Sequence, residues 1–332
     1  MRFPLIILVL YGHSAGAYTG IDTIYGFFSE MVSQHFCQIS VTLFFFFSGY
    51  LMFYRLKEED YSVSWILNKW KKRVHTLLIP YLLWNLIAVS AIASKSFCFS
   101  RLGLPTEDGE LWMMRQGPLY WLLYGPIDFP LYFIRDMIVL TLIVPALYIP
   151  LRVFPILSIC ILAVLMMVWP FPILSPKSVY YIVGAWFSAN NVSFLTVCRK
   201  VRLPAIIISV ALLIIATILT ESDIHQWIVN TFYPFGMMAF ISICNLSFQN
   251  KSLREKMIRL SMPVFFIYAA HEIYLLQWTK GAFVRIFGEG VWGTWIKYLL
   301  APLVTLALCM ILYQIMRRFM PKTLAVLCGG RT

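Results

Sequence analysis

Charged residues are scarce in this 332-residue chain: Asp, Glu, Lys and Arg make up 13% of it, against 60% apolar residues. The mean hydropathy is +0.77, and no polar stretch is long enough to form a separate soluble domain. This composition excludes an ordinary soluble protein and is typical of polytopic membrane proteins. We therefore expect one membrane-embedded domain, 1–332, with no appended soluble domain.

Common nucleotide-binding and metal motifs are also missing. The sequence has no P-loop, no G-x-G-x-x-G after a strand and no H-E-x-x-H. This disfavours nucleotide hydrolysis, hydride transfer and zinc proteolysis. The seven cysteines are scattered without close pairs, so neither a disulfide framework nor a zinc site is predicted. No metal is expected.

What the chain does contain is a series of apolar segments, each long enough to cross a bilayer. They predict an all-α protein with about ten transmembrane helices. The predicted spans are 3–19, 37–54, 75–94, 129–149, 153–169, 178–196, 203–220, 228–246, 260–279 and 298–316.

The net charge of +12 is distributed according to these spans, because most Lys and Arg residues fall in loops on the side of the N-terminus. By the positive-inside rule, both termini face the cytosol, and the protein is expected in the cell membrane. The basicity therefore indicates anionic lipid headgroups, not nucleic acid, as its ordinary partner.

The first segment carries two ionisable side chains on one helix face. Arg2 and His13 are eleven positions apart, which places them about 20° apart around a helix and ~16 Å apart along it. A cation would then lie at one membrane surface and an imidazole near the midplane, where ionisable groups are functional candidates. Histidine is the usual general base, so His13 is a catalytic candidate; hydrogen bonding between helices is the alternative.

A second histidine is predicted at the same depth. His271 is twelve residues from Arg259, and its span runs in the same direction as the first. Glu272 is a candidate to orient a histidine or accept its proton. Because neighbouring residues of a regular helix point about 100° apart, His271 and Glu272 are not expected to face one partner together. A polar contact between helices is the alternative.

Two further basic sites are candidates for binding an anion. Arg135 is followed by Asp136 inside an apolar segment, where it would bind either a phosphate or this carboxylate. Lys72 and Arg73 lie in a basic run at the cytosolic end of the third span. That run is either a topogenic signal or, together with Arg2, a binding site for the phosphates of an anionic cofactor.

Two segments have competing interpretations. The N-terminus, with Ala15-Gly16-Ala17 after an apolar run, also fits a cleaved signal peptide, and an upstream start is a further alternative. The outer segment 95–128 is rich in aromatic and acidic residues. It is either an interfacial anchor or a stacking surface for a sugar or lipid-linked acceptor.

The chain resembles the acyltransferase-3 family of integral membrane acyltransferases in five segments, in order. The first is the family's hallmark arginine, ten residues and a histidine, from Arg2 to His13. The others are Leu43-Phe-Phe-Phe-Phe-Ser-Gly-Tyr50, Lys72-Arg73 with Leu77-Leu-Ile-Pro-Tyr-Leu-Leu-Trp84, Tyr132-Phe-Ile-Arg-Asp136 and Phe266-Ile-Tyr-Ala-Ala-His271.

The resemblance implies transfer of an acyl group, commonly acetyl, from cytosolic acyl-coenzyme A to a hydroxyl of a glycan, lipid or small molecule. It implies His13 as the catalytic histidine and Arg2 and Arg73 as contacts to the donor phosphates. Arg135 and His271 would line the site. Whether a covalent acyl-histidine forms first stays open.

Two other functions compete with this interpretation. A transporter or lipid-glycan flippase would use a midplane histidine as a proton relay and would not need acyl-coenzyme A. A non-catalytic partner subunit would tolerate replacement of His13.

Overall fold

A computed structural model describes residues 1–15, 20–103, 115–168 and 173–331. These residues form α-helices joined by loops and by short 3-10 and π-helical turns, which confirms the all-α prediction. The helices of the first half are Arg2–Gly12, Ile24–Ser29, Ile39–Phe53, Val63–Arg73, Ile79–Arg101, Pro118–Leu123, Tyr132–Ile143, Tyr148–Val153 and Pro155–Met167. Those of the second half are Val179–Ala189, Phe194–Lys200, Arg202–Ile218, His225–Ser247, Lys251–Leu260, Val264–Ala270, Leu276–Phe287, Val291–Phe319 and Pro321–Leu327.

Several helical segments are long and apolar enough to cross a membrane. In the described ranges these are Ile24–Phe53, Val63–Arg101, Phe129–Val153, His225–Ser247 and Val291–Phe319. The pair Phe194–Lys200 and Arg202–Ile218, bent by 82°, would be a sixth span. The chain is therefore an integral multi-pass membrane protein.

The remaining predicted spans also contain helices, but these are short or interrupted. The first is the clearest case, because its helix Arg2–Gly12 ends well before residue 19, and Pro155–Met167 is similarly short. The span 260–279 is broken by a π-helical turn at His271–Leu275. The total of ten spans stays a prediction.

Large apolar side chains point outward from several helices, as expected for a surface that faces lipid. Ile156 is 78% exposed, Leu203 68% and Ile207 60%. Apolar surface on this scale is unfavourable in water but matches the hydrocarbon region of a bilayer.

Two helices of the interior touch backbone to backbone through glycines. A Cβ on Gly49 would lie 1.8 Å from the carbonyl oxygen of Tyr181, and one on Gly184 would lie 2.0 Å from that of Phe46. Small residues allow this approach between membrane helices. The Ser-Gly-Tyr segment of the second predicted span thus has a packing role, since any side chain at Gly49 would force the helices apart.

Replacing Gly49 by alanine is therefore expected to destabilise the protein by about 1–3 kcal/mol, the usual cost of overpacking a core. The measurement is the thermal unfolding temperature of purified protein in detergent. Gly281→Ala is the matched control, because nothing lies within 4 Å of its Cβ position, and it should leave stability unchanged or raise it slightly. Equal unfolding temperatures for the two variants would contradict the packing role.

Candidate active site

His13 follows directly on the first helix and is held there by backbone bonds. The backbone N–H of His13 donates to the carbonyl oxygen of Val9 at 3.2 Å. The ammonium group of Lys280 donates to the carbonyl oxygen of His13. The preceding turn is tied to a neighbouring helix, because the Ser33 hydroxyl donates to the carbonyl oxygen of Tyr11 at 2.6 Å. These contacts fix the position from which the imidazole projects.

His271 and Glu272 lie where the helix of the ninth predicted span loses its regular geometry. Within the π-helical turn His271–Leu275, Ile273 has ψ 78° and Tyr274 has φ 62°. Positive φ at a residue other than glycine costs about 1–3 kcal/mol, and π-helical turns are frequent at functional sites. The expectation that His271 and Glu272 do not face one partner together was wrong, because both lie against His13: the ring centroids of His13 and His271 are 5.3 Å apart, and Glu272 Oε2 is 3.9 Å from His13 Nδ1.

The three residues predicted as catalytic meet in the fold. The rings of His13 and His271 have centroids 5.3 Å apart. The Glu272 Oε2 atom lies 3.9 Å from His13 Nδ1 and 3.9 Å from His271 Nε2. These distances exceed a hydrogen bond, but contacts in active sites without substrate are often long and shorten in the reactive complex. The arrangement therefore suits proton transfer with one carboxylate between two imidazoles.

The hydrogen bonds of His271 define which ring nitrogen carries its proton. Nδ1 lies 2.7 Å from the carbonyl oxygen of Tyr268, and a carbonyl oxygen only accepts, so Nδ1 must donate. The lone pair is then on Nε2. Nε2 and Glu272 Oε2 are both buried without a hydrogen-bond partner among the described residues. The cluster thus holds unused proton-accepting atoms.

The same cluster has the donor types of a metal site. The ligand atoms of His13, His271 and Glu272 all lie within 4.8 Å of one another, and imidazole and carboxylate are ordinary zinc ligands. Two positive charges would repel a metal ion at this place, because the ammonium groups of Lys177 and Lys280 both act electrostatically on His13. The absence of a metal stays a prediction.

A cavity of about 680 Å³ lies beside the start of the first helix. Three arginines line it, Arg2, Arg73 and Arg331, and much of the remaining lining is apolar, including Phe133 and Phe265. The predicted donor contacts Arg2 and Arg73 are therefore brought together. His13 is not among the residues that line this cavity.

Tyr268 lies next to both the cavity and His271. It belongs to the cavity lining, and its ring centroid is 6.4 Å from that of His271. Its hydroxyl donates to the carbonyl oxygen of Pro130. One residue thus links the lining of the arginine-lined cavity to the histidine–glutamate cluster.

Two predicted donor contacts are not among the lining residues. Lys72 is exposed. Arg135 pairs with Asp136 at 2.8 Å, and it also donates to the carbonyl oxygens of Tyr124 at 2.6 Å and Ile173 at 2.8 Å. Arg135 was predicted to bind either a phosphate or the carboxylate of Asp136. These bonds favour the second interpretation, an ion pair that holds helices and loops together.

Nothing in the sequence signals Asp128, which lies near the cluster. It is 4% exposed, and its carboxylate oxygens have no hydrogen-bond partner among the described residues. A carboxylate at the start of a helical turn usually accepts a backbone N–H. Here Pro130 has none, and the N–H of Leu131 donates to the Asp128 carbonyl oxygen at 2.9 Å. The free carboxylate interacts electrostatically with Glu272.

The outer aromatic segment and the end of the possible signal peptide are described only in part. Gly16, Ala17 and residues 104–114 lie outside the described residues. Of the aromatic residues that follow, Tyr120 and Tyr124 stack with centroids 5.9 Å apart. Both interpretations of this segment stay open.

Together these features define a multi-pass membrane protein with a histidine–glutamate cluster next to an arginine-lined cavity. A family profile described as an acyltransferase domain matches residues 1–314. The chain therefore belongs to the acyltransferase-3 family and is a membrane acyltransferase, as the resemblance implied.

One relative places the family match in a biosynthetic context. The chain is 26% identical over 309 residues to the succinoglycan biosynthesis protein ExoH of Rhizobium meliloti (strain 1021), an alignment that covers 86% of this chain and 77% of ExoH. No solved structure matches the chain.

Proposed function

We propose that this acyltransferase moves an acyl group, with acetyl as the first candidate, from cytosolic acyl-coenzyme A to a hydroxyl of a cell-surface polysaccharide or its lipid-linked precursor. The observation that carries the proposal is the meeting of His13, His271 and Glu272 one side chain away from a cavity lined by arginines. The orientation, with both termini in the cytosol of a cell-membrane protein of about ten spans, comes from the positive-inside rule.

The donor fits the cavity by charge and by polarity. Arg2 and Arg73 would hold phosphate groups, because guanidinium and phosphate form strong charge-assisted hydrogen bonds. The apolar lining suits the pantetheine arm, and the volume is in the range of small-ligand sites. The thioester must pass Tyr268 to reach the histidines, so this side chain would move when the donor binds.

The chemistry assigns His13 as the general base. Its imidazole takes the proton of the acceptor hydroxyl as the oxygen attacks the thioester carbonyl carbon. The new ester bond forms, the carbon–sulfur bond breaks, and the coenzyme A thiolate leaves with the proton from the imidazolium. Glu272 stabilises that imidazolium by its negative charge, and His271 lines the site. An acyl-histidine formed first on His13 would be detected by incubating the protein with labelled acyl-coenzyme A and no acceptor. The protein, quenched at that point, would then carry the labelled acyl group.

The relative favours a polysaccharide acceptor over a small molecule, because its name places it in succinoglycan biosynthesis. The test is to incubate membranes containing the protein with labelled acetyl-, propionyl- and succinyl-coenzyme A. Label should appear in polysaccharide or lipid-linked glycan and not in membranes that lack the protein. Proton-coupled glycan flux with no label transfer would instead support the transporter alternative.

Replacing Arg73 by glutamine is expected to raise the KM for acyl-coenzyme A about tenfold, the value of one charge-assisted hydrogen bond. The KM for the acceptor should not change, because Arg73 lies in the lining of the cavity proposed for the donor and His13 does not. Initial rates at varied donor and acceptor concentrations measure both constants. Arg254→Gln, an exposed arginine on the helix Lys251–Leu260, is the matched control. An unchanged donor KM for Arg73→Gln would remove Arg73 from the phosphate site.

A further inference from the structure

The C-terminal segment folds back onto the helix bundle. In the helix Pro321–Leu327, Leu324 is 0% and Leu327 7% exposed. The indole N–H of Trp84 donates to the carbonyl oxygen of Leu327 at 3.1 Å. The segment is thus packed into the interior, and Arg331 follows it within four residues.

A glycine then turns the chain tightly against the third predicted span. Gly329 has φ +60°, and a Cβ there would lie 2.6 Å from the carbonyl oxygen of Thr76. Only glycine combines this backbone conformation with so close an approach. Thr76 belongs to the π-helical turn Val74–Leu78, directly after Arg73. Packing, and not a loose end of the chain, therefore places Arg331 at the cavity beside Arg73.

Arg331 has too few partners for a partly buried cation. Its Nη1 atom is buried without a hydrogen-bond partner among the described residues, and its guanidinium lies 4.5 Å from the centre of the Phe265 ring. Burial, and then the positive charges of Arg73 and Arg2, lower its pKa to about 10. Three cations thus converge on one cavity, and none of them is paired with an acidic side chain in the described ranges.

We infer that Arg331 is a third phosphate-binding residue, which closes an anion site with Arg2 and Arg73. The inference rests on the proposed function, since the donor is the phosphate compound that this site would take. Three guanidinium groups suit an anion with several negative charges, and coenzyme A carries a diphosphate and a separate phosphate monoester. A phospholipid headgroup has the same chemistry and is the alternative source of the phosphate.

The test compares binding of coenzyme A and of pantetheine, which lacks all phosphates, to purified protein in nanodiscs. Arg331→Gln should weaken coenzyme A binding about ten- to a hundredfold and leave pantetheine binding unchanged. Arg331→Lys should recover part of the affinity, because it restores the charge but not the planar fork. Arg318→Gln is the matched control, as an exposed arginine near the same end of the chain.

The outcomes separate the inference from the proposed function. Wild-type protein that transfers acyl groups while Arg331→Gln binds coenzyme A normally would overturn the inference alone. Wild-type protein that neither binds coenzyme A nor transfers acyl groups would overturn both. If Arg331→Gln binds coenzyme A normally but loses co-purifying anionic phospholipid, the phosphate at Arg331 comes from lipid, and Arg331 does not belong to the donor site.

Discussion

Replacing His13 by alanine is expected to reduce acyl transfer by about a hundred- to ten-thousandfold, the usual contribution of a general base. The acceptor hydroxyl would lose the group that removes its proton. Binding of coenzyme A should persist, because His13 does not line the arginine-lined cavity proposed for the donor. Initial transfer rates in membranes and equilibrium binding of coenzyme A measure the two effects separately.

His225→Ala is the matched control for this variant. His225 packs against His35 with ring centroids 5.1 Å apart and has no place in the proposed mechanism. The His225→Ala variant should therefore transfer acyl groups at a near-normal rate. Near-normal transfer by His13→Ala would exclude His13 from the mechanism and favour the partner-subunit interpretation.

Replacing Glu272 by glutamine is expected to lower kcat about a hundredfold without changing the KM for the donor. Glutamine keeps the size of the side chain but cannot stabilise an imidazolium ion by charge, so the loss falls on the transition state. Steady-state rates at saturating acceptor and varied acyl-coenzyme A measure both constants. Glu289→Gln, at an exposed glutamate, is the control.

A double variant tests whether Glu272 acts through His13. If it does, His13→Ala combined with Glu272→Gln should be no slower than His13→Ala alone, because residues that act as a unit give non-additive losses. Losses that multiply would show that Glu272 works independently of His13, for example by binding the acceptor.

The similar depth of the two histidines could be predicted from the sequence because depth in a membrane is nearly a one-dimensional quantity, whereas their contact depends on helix packing. Counting from Arg2 to His13 and from Arg259 to His271 gives the rise of each helix. The structure then brings the two rings to 5.3 Å. The place of Glu272 between the two histidines was harder to predict, because it depends on how their helices pack against each other.

Other parts of the site depend on contacts between distant residues. Arg331 reaches the cavity because Leu327 packs against Trp84 and Gly329 turns against Thr76. Asp128 keeps a free carboxylate because Pro130 cannot donate to it. Neither arrangement has a sequence pattern that could predict it, since each is determined by packing across the bundle.

The sequence by itself determined the membrane class, the all-α class and the family, because each depends on local hydrophobicity or on residue order. Only the tertiary structure decided how Glu272 faces both histidines, why Arg135 binds Asp136 and how Tyr268 comes to lie beside both the cavity and His271. Those features follow from the lateral packing of helices and from the residues at which each turn begins and ends. Hydropathy reports the depth of a residue along the membrane normal, and it carries no information on lateral packing or on the ends of turns.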